Sequence, residues 1–127
     1  MIDLVTIVAV SCGGALGALC RNRASNFLKS KLKGEFPLPT LLINIASCTI
    51  AGTLLAVQLG LNQTLYLVLT MGFLGGFSTL STMNYEAVEL VMKKRYAEGF
   101  SYLVITYLTT IGAATGAFTL VSLIAGI

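Results

Sequence analysis

The chain has 127 residues, of which 56% are hydrophobic and only 10% charged, with a formal net charge of +3. A soluble domain carries about 25% charged residues, so this composition excludes an ordinary soluble enzyme and makes the lipid bilayer the expected solvent of a single membrane domain, 1–127. Histidine is absent and Cys12, Cys20 and Cys48 stand singly in apolar stretches, which leaves no metal or redox spacing and no catalytic residue to assign.

A bilayer core of ~30 Å needs about 20 apolar residues per helical crossing. Four such stretches follow one another, approximately 4–20, 39–60, 64–92 and 100–126, and predict an all-α membrane protein with four transmembrane helices. The first opens "MIDLVTIVAV", with an acid and no base, and Leu19 occupies the place where a lipoprotein cleavage box has a small residue. It therefore reads as a span and not as a cleaved signal. Gly13 and Gly17 within it form a G-x-x-x-G pair, which lets another backbone approach closely. The polar stretch "RNRASNFLKSKLKGEF" at 21–36 reads as the longest connection.

In the second span, "PTLLINIASCTIAG", Thr40, Asn44 and Ser47 are spaced by four and three, which places them on one helix face. An amide in hydrocarbon is hydrogen-bonded to a neighbouring helix or lines an aqueous path, and both readings stand for Asn44. The third span contains "GFLGGFSTLSTMNYE", where the pair Gly72 and Gly76 runs into Ser78, Thr79, Ser81 and Thr82. That content predicts a helix broken near 75–79, close to the bilayer centre, because unwound backbone is tolerated at depth only beside protein or a wet cavity. A kinked helix with its hydroxyls bonded to the preceding turn is the competing reading. In the fourth span Tyr102, Thr106 and Thr110 recur every four residues and align three hydroxyls, and Gly112 and Gly116 form a third G-x-x-x-G pair.

Asp3, Glu35, Glu86, Glu89 and Glu98 all fall at or near predicted membrane edges and read as solvated charges. The eight bases, Arg21, Arg23, Lys29, Lys31, Lys33, Lys93, Lys94 and Arg95, all lie in the connections at 21–38 and 93–99. Alternating crossings put both connections on one side, so the positive-inside rule predicts a multi-pass protein of the cell membrane with basic loops cytoplasmic and both termini outside. Bases that flank a membrane do not form a basic domain face, so nucleic acid is not an expected partner.

These motifs together resemble the Fluc (CrcB) family of small fluoride channels along the whole chain. "GGALGALCRN" resembles the family's glycine-rich first helix ending in an arginine, here Arg21, and "PTLLINIASCTIAG" its second-helix motif with a pore-facing asparagine, here Asn44. "GFLGGFSTLSTMNYE" is similar to the third-helix break, the most specific of the set, and "YLVITYLTT" to the hydroxyl track of the fourth helix. The resemblance implies an antiparallel dimer with two fluoride pores at its interface. It also implies a structural sodium ion, Na+, held by backbone carbonyls, by position those of Gly75 and Ser78. The implied function is passive, selective export of cytoplasmic fluoride.

A path for a small, strongly hydrated anion must replace water with close donors yet avoid a deep well, since the ion has to leave as easily as it arrives. The expected donors are the Asn44 amide, the hydroxyls of Ser81 and Thr82 and the row Tyr102, Thr106 and Thr110, with Thr40 on the Asn44 face. Arg21 either supplies positive potential at the mouth or snorkels to headgroups.

Leu80 and Met83 depart from the family, which usually carries two phenylalanines there with ring edges toward the anion. An aliphatic side chain has no comparable quadrupole, and polarizable Met83 is only a partial substitute. Asn22 likewise replaces a common tyrosine, and Ala46 a common glycine. One expectation is therefore a degenerate structural subunit with an impaired pore. Another, from a different class, is a small proton-coupled multidrug exporter, which would require a carboxylate inside the membrane. The lopsided basic loops further predict that an antiparallel partner is a homologous chain of opposite bias, in a heterodimer.

Overall fold

The structure is a computed structural model that describes residues 3–32, 34, 36–78 and 80–126, with the side chain of Ser81 also outside the description. Thr79, Lys33 and Glu35 thus lie outside the described residues, as does the expected hydroxyl contribution of Ser81. Helix α1 spans Leu4–Lys31, and Asp3 caps it by accepting from the Thr6 N–H at 2.8 Å. Hydrogen bonding by Thr6, side chain first and then backbone, holds the Asp3 carboxyl below its usual range. Helix α2 spans Leu38–Ala56 with a proline in its first turn, where the missing N–H is harmless, and a short 3₁₀ turn follows at Gln58–Gly60.

Helix α3 is capped by the Asn62 side chain. It runs as α-helix over Gln63–Leu67, widens to a π-helix over Val68–Leu74, and closes with the α-helical turn Gly75–Phe77. Ser78 is extended, with φ −76° and ψ 158°, so the ladder stops there and resumes in α4, Leu80–Met92. The third span is therefore broken where glycine and hydroxyl content predicted it. Ser78 also shows part of the competing reading, since its hydroxyl donates to the Leu74 carbonyl at 2.9 Å. Helix α5, Tyr96–Ala125, ends on Gly126, whose φ of 73° is the left-handed cap position. Counting α3 and α4 as one crossing, four segments among the described residues are long and apolar enough to span a membrane.

Helix α1 continues past the expected end near residue 20 as far as Lys31, about two-thirds longer than its apolar segment. The stretch "RNRASNFLKSK" is polar but lacks glycine and proline and is rich in good helix formers, so the helix outlasts its apolar segment. α5 likewise starts at Tyr96 and not near 100, and α2 stops at Ala56 and not near 60.

Two helix pairs are zipped by glycine. On α1 and α3, a Cβ at Gly17 would collide with the Phe73 carbonyl, and one at Gly76 with the Gly14 carbonyl; Gly13 and Gly72 face the same seam. On α2 and α5, Gly52 sits equally close against Ala114. Gly112 and Gly116 have nothing within 4 Å, so the third G-x-x-x-G pair packs against no other helix of the described chain. This contrast gives a stability prediction. Gly17→Ala forces two backbones apart and costs toward the upper end of ~1–3 kcal/mol, whereas Gly112→Ala is neutral or gains up to ~1 kcal/mol of helix propensity. Thermal unfolding of the two variants in one detergent checks it, and equal midpoints would refute the seam.

Candidate functional site

The core of the bundle sits toward one end, where Leu41 of α2, Met83, Ala87 and Leu90 of α4 and Tyr102 of α5 pack together. The ring of Phe36 meets Tyr102 edge-on, with centroids 5.6 Å apart. Polar side chains gather on both sides of this plug.

On one side a cavity of about 160 Å³ is lined by Asn44 and Cys48 of α2, Ser78 at the break, Leu80 and Met83 of α4, and Thr106, Tyr107 and Thr110 of α5. Six residues singled out by sequence, Asn44, Ser78, Leu80, Met83, Thr106 and Thr110, thus meet in one place although they come from three separate spans. Asn44 is buried at 8% exposure, which is deep for an amide without charge nearby on its own helix. The break falls on this wall: Ser78 keeps its N–H in the ladder, donating to the Leu74 carbonyl at 2.9 Å, and its extended backbone ends the helix at a residue that lines the cavity.

On the other side Thr40, Glu86 and Tyr102 form a second cluster. The Thr40 hydroxyl donates to Glu86 Oε1 at 2.7 Å, and the Tyr102 hydroxyl approaches Oε2 at a longer 3.4 Å. Thr40 and Glu86 also line an open vestibule of about 490 Å³, shared with Lys29, Pro39, Glu89 and Lys93. The fully buried Met83 and Tyr102 lie between vestibule and cavity.

Sequence reading placed Glu86 at a solvated membrane edge; the structure holds it half-buried within the bundle. The available signal was its spacing of three from Met83 and adjacency to Ala87, both on the buried face of α4. Cys48 and Tyr107 were also missed as wall residues, and a small thiol and an exposed ring offered no polar periodicity that would single them out.

Several expected donors have their protons engaged. Thr106 donates to the Tyr102 carbonyl at 2.7 Å and Thr110 to that of Thr106 at 2.6 Å, leaving oxygen lone pairs toward the cavity. Each must rotate about its C–O bond before it can serve an anion. Ser47, on the Asn44 face, donates to Ile43 and does not line the cavity. Thr82 is exposed and lies away from the cavity wall. Gly75 is exposed, and Arg21 is half-buried where α1 leaves its apolar segment.

Leu80 and Met83 prove unequal: Leu80 is 60% exposed, while Met83 at 1% is part of the core. Phenylalanine is correspondingly easy at one position and difficult at the other. Met83→Phe overpacks a filled site and costs ~1–3 kcal/mol, whereas Leu80→Phe stays within ~0.5 kcal/mol of the parent. Melting both single variants in detergent tests this, and a stable Met83→Phe protein would contradict the packing.

Polar side chains drawn from three spans to one place, in a chain whose described residues form four apolar membrane-length segments, define a small multi-pass membrane protein of the ion-transport class. The family model described as "CrcB-like protein, Camphor Resistance (CrcB)" matches residues 8–121. Among similar proteins, "Fluoride-specific ion channel FluC 1" of Listeria innocua is 40% identical over 87% of this chain and 92% of its own length. Its namesake in Listeria monocytogenes is 42% identical over the same shares. "Fluoride-specific ion channel FluC 3" of Bifidobacterium longum is 39% identical over 93% of this chain and 98% of its own. The chain belongs to the CrcB (Fluc) family of fluoride ion channels.

Proposed function

We propose that this chain is a subunit of a passive fluoride channel that exports fluoride from the cytoplasm, assembled as an antiparallel dimer. The observation that carries this reading is the meeting of Asn44, Ser78, Thr106 and Thr110 at one cavity, with Thr40, Glu86 and Tyr102 clustered beside the open vestibule. Fluoride would exchange water for the Asn44 amide and for hydroxyls that swing from their carbonyls, each a small rearrangement that neither traps nor repels the ion. Thr82, exposed on this chain, would face the second subunit's side of the path. Arg21 and Lys29 supply positive potential around the mouth, and Glu86 accepts from the Thr40 hydroxyl there.

A structural sodium ion fits the chemistry of the break. The last carbonyls of a helix lack intrahelical donors, and unwound carbonyls are hard oxygen ligands suited to Na+. Gly75 is exposed on the chain, which leaves room for a second subunit beside it. The Gly75 and Ser78 carbonyls would hold the ion, which contributes fixed positive charge at the centre of the dimer.

The partner in this reading is a homologous subunit of opposite loop charge. A second reading, in which the chain is a structural subunit with an impaired pore, draws on Leu80 and Met83, since neither offers a ring edge to an anion. The exporter reading gains a half-buried carboxylate in Glu86, but the family decides against it. Fluoride efflux from liposomes carrying this chain alone, or with a homologous subunit, tests the proposal. Fluoride-selective efflux in either preparation supports conduction, and efflux that is equal with and without this chain in the pair identifies the impaired subunit.

A further inference from the structure

We infer that the end of α1 beyond its apolar segment is a docking site for anionic phospholipid headgroups, formed by Arg23, Phe27 and Lys31. Val5, Val8, Cys12, Leu16 and Leu19 are all exposed and make one apolar stripe along α1. At 100° per residue Arg23 falls on that stripe, Phe27 beside it and Lys31 at its flank, all three exposed, while Arg21, Ser25 and Leu28 occupy the partly buried opposite face. The face that meets hydrocarbon thus becomes cationic and aromatic on leaving it.

Depth follows from length. The 28 residues of α1 extend about 42 Å, against a hydrocarbon core of ~30 Å and an interfacial layer of roughly 5–7 Å on each side. The helix therefore carries its last turns through the headgroups. Cα–Cβ bonds tilt toward a helix's N-terminus, so side chains on this overhang lean back toward the membrane. Lys31 does so: its ammonium lies 5.8 Å from the centroid of the Phe27 ring, one turn nearer the bilayer. Phe27, at 61% exposure, offers acyl chains an apolar flank below two cations.

Charge selects the lipid. The overhang from Arg21 to Lys31 carries four bases and no acid, and among the described residues neither Arg23 nor Lys31 makes an ion pair. Glu89 and Glu98 are engaged by Lys93 and Arg95, and Lys29 turns to the vestibule. A phosphodiester with net negative charge, such as phosphatidylglycerol, satisfies Arg23 and Lys31, whereas a zwitterionic headgroup brings its own cation against them.

The test uses the full chain in its native assembly, purified in neutral detergent, with retained phosphatidylglycerol and phosphatidylcholine counted by native mass spectrometry. Each base contributes about fivefold to anionic-lipid retention. The parent should prefer phosphatidylglycerol, and Arg23→Gln with Lys31→Gln should lower its retention by about 25-fold without changing that of phosphatidylcholine. Arg23→Lys should keep the preference, and Lys94→Asn, at an exposed base off the stripe, should leave it intact. Raising salt should weaken it. Equal retention of the two lipids by the parent overturns the inference, as does an unchanged preference in the double variant. Loss of subunit assembly in the double variant also overturns it, because the stripe would then be a protein seam.

Discussion

In Asn44→Leu, fluoride flux falls to background while expression and subunit assembly stay normal. Leucine shares asparagine's branching at Cγ and is among the residues a membrane helix accepts most readily, and the cavity beside this position, buried at 8% exposure, takes its extra bulk. What is lost is the amide that faces the cavity shared with Ser78, Thr106 and Thr110. A hydrogen bond to a charged group is worth ~1.5–3 kcal/mol net, so one missing donor alone slows an anion by roughly 10- to 150-fold. The remaining wall compounds the loss, because the Thr106 and Thr110 protons already serve backbone carbonyls and Leu80 and Met83 are apolar. Were Asn44 interhelical glue, the same substitution would disturb assembly and flux together. Flux from liposomes, read beside the elution volume of the purified protein, separates the two: normal flux refutes the path reading, and a dissociated protein refutes the rest of it.

The parts of this molecule that were legible in the sequence are those governed by solvent and by backbone chemistry. Apolar length announced the four crossings, and "GGFSTLST" announced the broken third helix, because glycine weakens a helix and hydroxyls offer its carbonyls other partners. Glycine pairs announced a close seam, but not which one: Gly13, Gly17, Gly72 and Gly76 zip α1 to α3, whereas Gly112 and Gly116 meet no other helix among the described residues. A motif shows that a backbone can be approached and is silent on whether anything does so. The end of α1 was misjudged because polarity marks where a helix leaves hydrocarbon, not where it unwinds. Glu86 was misjudged for the converse reason. Its distance along the chain from the membrane edge was readable, but its inward rotation and its Thr40 partner, 46 residues away, are properties of packing.

A chain expressed on its own should insert in a single orientation and conduct only beside a partner of opposite bias. Lys29 and Lys93, from the two basic connections, line one vestibule, while residues 55–60 meet Phe118 and Ser122 at the opposite end. Both basic connections therefore belong to one end of the bundle, and the eight bases of the chain all lie in them. By the positive-inside rule this asymmetry would place the basic end in the cytoplasm and the termini outside. An antiparallel homodimer needs half its chains the other way up, which a strongly biased sequence opposes. Near-balanced loops are what dual insertion requires, and this chain has none. A homologous subunit with its bases on the terminal side would complete the pair, and it could supply the aromatic residues that Leu80 and Met83 lack. The measurement is maleimide labelling in intact cells, with Cys12, Cys20 and Cys48 replaced and single cysteines placed at Ser30→Cys on the basic end or Gln63→Cys on the other, both exposed positions. Labelling from outside should be confined to Gln63→Cys. Comparable outside labelling at both sites would make the chain dual-topology, and the heterodimer would have to be abandoned in favour of two copies of this chain.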